Sequence, residues 1–321
     1  MKKTVLGIFM MLVAAIAVLA GPAQAQERKV RFGVMKIGAL SNAHLAKEQG
    51  FFKKHGLDVE LVVIRSGAEG VTALQSGNID VTLAIPSFGF SANERNFDLV
   101  MVMQNEIAHA AAPDTGGIVV TKDSKIKKLS DLAGGTVAVN SLHAQEAVSA
   151  QYLIKKAGVP KDKIKYVEVP FPSMWDVISR NQADAAVAID PFTSMLVQRG
   201  GRVIAWEYVD AIPEQPIGVF WSKRAWAEKN ADTLERFTVA MEESIAYMNA
   251  DPKRARGVIA EFTRLPNELI EAMPPIVWSS KVNLRKWGEL VEMLKSMDEL
   301  KSTPKPEDYF AAGQKRRLGL K

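Results

Sequence analysis

Alternating apolar and polar runs give way, repeatedly, to runs with helical spacing over the first two thirds of the chain. Residues 30–35 predict a strand, 42–55 a helix stopped by Gly56, 58–64 a strand, and 67–76 a helix stopped by Gly77. A strand over 81–85, a short helix over 87–95 and a strand over 99–104 complete a first series. The second series runs strand 118–121, strand 136–140, helix 142–157 stopped by Gly158, strand 165–169, helix 174–181, strand 185–189 and helix 191–199. Hydrophobic periods that switch between 2 and 3.6 predict βαβ units on largely parallel sheets. Helix starts carry local chemistry. Ser66-x-x-Glu69 and Ser173-x-x-Asp176 have capping-box spacing, and Asp190-Pro191 sets a capping carboxylate before a proline suited to a first helical turn.

The two series match at an offset of 104 residues. Residues 74–88 (LQSGNIDVTLAIPSF) lie over 178–192 (ISRNQADAAVAIDPF), with Asp80, Ala84, Ile85 and Phe88 identical to Asp184, Ala188, Ile189 and Phe192. At the same offset residues 32–36 fall on 136–140. After Pro216 the pattern turns helical, over 223–250, 252–262, 267–273 and 283–297, with no strong strand signal. The expectation is an α/β chain of two lobes, each a mainly parallel sheet flanked by helices. Residues 26–114 plus 216–321 form lobe I, with a helical C-terminal region, and 115–215 form lobe II. The crossings near 114–117 and 213–218 are rich in Gly and Pro, as hinges between domains often are.

Composition removes several alternatives. With 47% hydrophobic and 24% charged residues the 321-residue chain is not disordered. Having no Cys, it holds no disulfide scaffold, thiolate zinc site, iron–sulfur cluster or cysteine nucleophile. Lys2 and Lys3, an apolar run over residues 5–20 and the triplet Ala23-Gln24-Ala25 predict a secretory signal peptide cleaved after Ala25. That run falls short of the ~20 residues that cross a bilayer. Removing Lys2 and Lys3 leaves 39 of the 41 Lys and Arg against 36 acids, a net charge of +3. The basic clusters are brief and scattered, which argues against a nucleic-acid surface.

Four stretches carry a resemblance: residues 50–60 (GFFKKHGLDVE), 73–80 (ALQSGNID), 129–139 (LSDLAGGTVAV) and 184–192 (DAAVAIDPF). Together they resemble solute-binding proteins of the nitrate/taurine/alkanesulfonate ABC-importer family. The resemblance covers nearly all of the mature chain and is weaker after Trp226. It implies a type II periplasmic-binding-protein fold, residence in the periplasm as a monomer, closure of two lobes on a small-molecule ligand, and docking on an inner-membrane ABC permease. It implies no cofactor.

In open α/β sheets ligands sit beyond the carboxyl ends of the strands. Ser87 and Ser141 stand where helices are expected to begin, one per lobe, and helix N-termini suit anions; helix capping explains them equally well. Asn140 adjoins the second of these. His143, in the expected first turn, could donate to an anion, and Lys36 could supply a counter-charge from lobe I. Phe88 and Phe192, equivalent in the repeat, could clamp a flat or apolar moiety between the lobes, or pack into the lobe cores; Phe171 poses the same choice. Asp190 suits a ligand amine, although its capping role before Pro191 accounts for it without one. Arg65 and Trp221 are weaker candidates, and Trp175 reads as core.

No H-E-x-x-H, G-x-S-x-G or phosphate loop occurs, and His44, His55, His109 and His143 lack metal-ligand spacing. The chain therefore reads as a binding protein for a small organic anion or zwitterion, such as taurine, an alkanesulfonate or an aromatic acid; nitrate fits least well. A thiamine pyrimidine precursor and a sensor role at a membrane receptor are the alternatives. Pyrimidine-synthesising enzymes that resemble the same fold depend on a cysteine-rich motif absent here.

Overall fold

In the computed structural model, residues 27–320 are described. The expected signal peptide and its cleavage site lie outside them. Eleven strands form two sheets among the described residues. The first contains β1 (Arg28–Val34), β2 (Leu57–Val63), β3 (Val81–Ala84), β4 (Leu99–Ile107), β10 (Pro216–Lys223) and β11 (Val277–Trp278), in the order β2-β1-β3-β10-β4-β11. The second contains β5 (Gly116–Thr121), β6 (Thr136–Val139), β7 (Lys165–Glu168), β8 (Ala185–Ile189) and β9 (Gly201–Ala205), in the order β7-β6-β8-β5-β9.

The wiring is duplicated. β2, β1 and β3 run parallel, as do β7, β6 and β8. In each sheet the next strand is antiparallel, β10 beside β3 and β5 beside β8, and each arrives from the other half of the molecule. The repeat read in the sequence is thus structural, with one correction. Phe32 pairs with Val81 and Val137 with Ala185, so Phe32 corresponds to Val137, an offset of 105, while Val81 and Ala185 keep 104. One residue matters here, because a one-residue slip turns every side chain to the opposite face of a strand.

Three strands went unread, β9, β10 and the two-residue β11. β10 occupies the middle of the first sheet, and its residues 216–222 are buried. A strand buried on both faces loses the period-2 signal; β3, β4, β5 and β8 share that burial and were still read as apolar runs, whereas β10 carries Pro216 and Gly218 in its first three residues. β9 is short and begins at Gly201, directly after Gly200. The expected helix over 42–55 is two helices, Ser41–Glu48 and Phe51–Lys54, broken at Gly50, whose φ of 73° is left-handed. The helix over 223–250 is likewise divided into Arg224–Lys229 and Ala231–Asn249.

Helix Ala231–Asn249 covers the first sheet through Phe237, which packs edge-on to Phe32 and Phe220 at 5.2 and 5.9 Å and stacks on Phe52. Helix Leu284–Ser296 buries Trp287, Leu290 and Leu294 beside Phe90 and Trp221. Val148 and Tyr152, from helix Gln145–Lys156 of the second sheet, join that same core. The two halves are therefore packed together along one flank. At another flank Gln198 Nε2 donates to the Glu268 carbonyl at 3.5 Å.

Candidate functional site

The carboxyl ends of both sheets meet around two crossovers, one between β4 and β5 and one between β9 and β10. Ala108, Tyr208 and Ile217 form a small buried cluster there, with Ile189 at the end of β8 packed against it. Ala108 N donates to the Gln215 carbonyl at 2.9 Å, and Gln215 Nε2 to the Tyr208 carbonyl at 2.7 Å. Gln145, following β6, is fully buried; its Nε2 donates to Gln215 Oε1 at 3.0 Å and to the Pro216 carbonyl at 2.8 Å. On the first sheet the turn after β1 is held rigid: the Ala39 carbonyl accepts from Asn105 Nδ2 and Trp278 Nε1, both at 3.0 Å.

The residues expected to touch ligand lie in distinct settings. Ser87 is buried in the first turn of helix Pro86–Glu94, and its Oγ has no hydrogen-bond partner; it does not cap. Helix Gln145–Lys156 begins three residues later than the sequence predicts, so Asn140, Ser141 and His143 stand in the loop before it. Its first turn carries Glu146, which opposes an anion at that helix end. The Ser141 carbonyl accepts from Ala144 N, and Asn140 is exposed. His143 reaches across to the other half, its Nδ1 lying 2.9 Å from Glu299 Oε2. Lys36 Nζ sits 4.3 Å over the Phe262 ring, on whose ring His44 also stacks.

The three aromatic residues are partly buried at the margins of the sheet cores. Phe88 packs beside the first-sheet core, near Gly67. Phe192 stacks on Phe171 at 5.3 Å and 16°, next to Met174 and Ile178 of the second-sheet core. Of the weaker candidates, Arg65 is exposed and paired with Glu69, while Trp221 is fully buried. The helix begins at Phe192 with Pro191 as its N-cap, one residue later than expected; Asp190 stands before the cap, its Oδ1 accepting from Ser194 N at 2.9 Å and its Oδ2 buried without a partner. Ser66 also caps, accepting from Glu69 N at 3.1 Å, whereas Ser173 makes no cap bond.

Sequence reasoning missed four further carboxyl groups at the same edge. Glu106 lies near the end of β4, Asp114 just before β5, Glu146 after β6 and Glu207 after β9, and all four are buried. Asp114 Oδ1 accepts from Thr115 N at 2.8 Å and His109 N at 3.3 Å. Glu146 accepts from the Tyr208 hydroxyl. Glu207 lies against the Cα of Gly116, where any Cβ would overlap its carboxylate. Burial pushes Glu106 up to about 8, Glu146 up to about 7 and Asp190 up to about 6. Glu207 is raised well above the usual carboxylate range by burial first, then by the charges of Asp114, Glu146 and Asp190. A buried acceptor without a partner costs about 1–3 kcal/mol, so such an edge is an unusual thing for a fold to keep. Beside it, a cavity of about 220 Å³ is lined by Gln104, Ile107, Glu214 and Lys286 among others.

The sequence profile of the family described as NMT1/THI5 like matches residues 40–255. The chain belongs to this family. It is 21% identical over 322 residues to a binding protein of Brucella abortus, covering 95% of this chain and 97% of that one. It is 23% identical over 287 residues to the formylaminopyrimidine-binding protein of Halalkalibacterium halodurans, covering 84% of each. Among solved structures, the periplasmic aliphatic sulphonate binding protein SsuA from Escherichia coli superposes with a TM-score of 0.75 at 20% identity, over 88% of this chain and 97% of that one. The fold is therefore the type II periplasmic-binding-protein fold. Among the described residues no helix is long and apolar enough to cross a membrane.

Proposed function

We propose that the chain is the substrate-binding component of an ABC importer, exported with cleavage after Ala25 and working as a monomer in the periplasm. Residues 26–114 plus 216–321 act as one lobe and 115–215 as the other. A small organic solute is captured between them, and the closed form is presented to an inner-membrane permease. The observation that carries this reading is the duplicated sheet wiring, which brings the carboxyl ends of both sheets to the same pair of crossovers. Ligand bridging two such halves stabilises the closed arrangement by its differential affinity for it. The chemistry is capture alone.

The anion reading relies on helix N-termini at Ser87 and Ser141, whereas the second helix starts at Gln145 and carries Glu146 in its first turn. The name of the Halalkalibacterium halodurans relative supports the other class, a pyrimidine precursor of thiamine. The test is a thermal-shift screen on refolded, ligand-stripped protein with sulfonates, taurine, nitrate, aromatic acids, aminopyrimidines and amino acids. A folded-state ligand at 100-fold Kd adds about 2.7 kcal/mol, several degrees for a chain of this size. A response to any one chemical class is the expected result; a flat profile over the whole panel contradicts capture of these solutes.

A further inference from the structure

The end of the first sheet remote from the crossovers holds a cavity that solute capture does not use. Phe310 pairs beside Met101 on the outer edge of β4, and Ala311 N donates to the Met101 carbonyl at 2.8 Å. The C-terminal segment is thereby pinned near the start of β4, and helix Ala312–Leu318 follows it against helix Ala231–Asn249. Small residues, Ala227, Ala231, Ala312 and Gly313, meet where these helices and Arg224–Lys229 converge, and a cavity of about 90 Å³ is left between them. Val102 in its wall is five residues from Ile107 at the crossover end of β4, roughly 17 Å at strand spacing.

The lining is apolar except at two buried points. Val100, Val102, Leu234 and Phe310 supply apolar surface, while Thr238 and Gln314 are only 4% and 5% exposed. Neither of those two side chains forms a hydrogen bond among the described residues. A helical threonine can return its hydroxyl to the carbonyl four residues back. Thr72 and Thr263 do so, at 3.1 and 2.6 Å, and Thr238 does not. Buried polar groups need partners, so a hydroxyl and a carboxamide are left for whatever fills the cavity. The charged groups around it are largely spent on one another. Arg224 Nε donates to Asp98 at 2.7 Å, and Arg317 donates to Glu242 and Glu235 at 2.7 and 2.6 Å. Glu228 and Lys315 remain, one of each sign, so the cavity favours an occupant without net charge. An apolar cavity of about 150 Å³ takes up benzene, so this one takes about four heavy atoms.

We propose that this cavity is a second ligand site, for a small uncharged aliphatic amide whose branched tail lies on Val100, Val102, Leu234 and Phe310 and whose carboxamide bonds Thr238 and Gln314. A carboxamide carries donor and acceptor together, as the Gln314 side chain does, so the two can pair reciprocally. Such a site is independent of solute capture at the crossovers, and the failure of either leaves the other standing.

The test is a titration of residues 26–321, with valine and leucine methyls labelled, by isobutyramide, followed by methyl NMR. Isobutyrate, isobutylamine and acetamide serve as the anionic, cationic and tail-less comparisons. The expected result is saturable shifts at the Val100, Val102 and Leu234 methyls with isobutyramide, none at Val209 beside the crossovers, and weaker binding of all three comparisons. Thr238→Val and Gln314→Leu keep the side-chain shape, remove one hydrogen bond each, and should each weaken isobutyramide about 5-fold. No saturable shift at the three wild-type methyls means that the cavity holds water alone and overturns the site; that readout needs no variant to fold. An equal response to the amide and to both ions, or affinity unaltered in folded variants, overturns it too. Shifts at Val209 in place of those methyls move the amide to the strand ends and overturn it as well.

Discussion

The two sheets share one wiring plan and differ in what they hang on it. Asp80 and Asp184 occupy equivalent positions, and each carboxylate accepts a backbone N–H of the neighbouring strand, from Arg31 at 2.8 Å and from Thr136 at 2.7 Å. In the first sheet the Arg31 guanidinium adds two further bonds to Asp80, at 3.0 and 2.6 Å, and the carboxylate is buried. In the second sheet Thr136 has nothing to add, and Asp184 is exposed. The latch is the same; only one copy is reinforced. The contrast at the strand ends is sharper. The first sheet offers Glu106, a buried serine and a loop locked by Asn105 and Trp278, while the second offers Glu146, Asp190 and Glu207. Duplication preserved the backbone scaffold and left ligand chemistry to a few side chains beyond it.

The largest effect should come from Gly116→Val. Its side chain would displace Glu207 from the second-sheet edge, costing about 3 kcal/mol by overpacking and abolishing the thermal response to ligand; a retained response would mean that this edge is not where solute binds. Asp80→Ala should cost about 2 kcal/mol by leaving strand and guanidinium donors unpaired, against less than about 1 kcal/mol for Asp184→Ala, measured by urea denaturation. Equal losses would break the contrast between the latches.

A pH effect of several degrees comes next. Glu106, Glu146 and Asp190 keep their protons in the folded chain to about 8, 7 and 6, whereas the unfolded chain loses them near the ordinary carboxylate values. Between about pH 5 and pH 8 the folded state therefore binds more protons, and ligand-free stability falls as pH rises. Exposed carboxylates held low, such as Glu69 by the Arg65 N–H and guanidinium, act only below that window. Glu106→Gln should flatten the Tm profile near pH 8; a Tm that climbs from pH 5 to 8 would contradict the buried-acid account. The smallest effect is expected from His143→Ala. It removes an exposed contact to Glu299 and should change stability by less than about 1 kcal/mol, so a loss above 2 kcal/mol would make that contact a structural tie between the halves.

The strands and helices with one buried face were legible in the pattern. Helix Gly67–Ser76 has the predicted bounds because a half-buried element writes its period into the sequence; strand Ala185–Ile189 has them too, although buried on both faces, as a short apolar run between polar flanks. β10 writes none, being buried on both faces and opening with Pro216 and Gly218, and the helix after β6 was placed too early because residues 142–144 are apolar or neutral enough to extend its pattern. At the site, Asp190 was readable through its proline and its place in the repeat. Glu106, Asp114, Glu146 and Glu207 were not, since an acid near a strand end is ordinarily solvated and nothing in its neighbours along the chain says otherwise.

The sequence by itself determined the α/β class, the internal repeat, the lack of thiol chemistry and the family, because these depend on composition, on periodicity and on short motifs whose residues are neighbours along the chain. Only the tertiary structure decided that the repeat shifts from 104 to 105 between strands, that Phe192 stacks on Phe171, and that five acids more than a hundred residues apart at their extremes share one buried edge. Periodicity reports which face of an element is buried. It carries no information about which distant element covers that face, and the charge environment of a site is set by that covering.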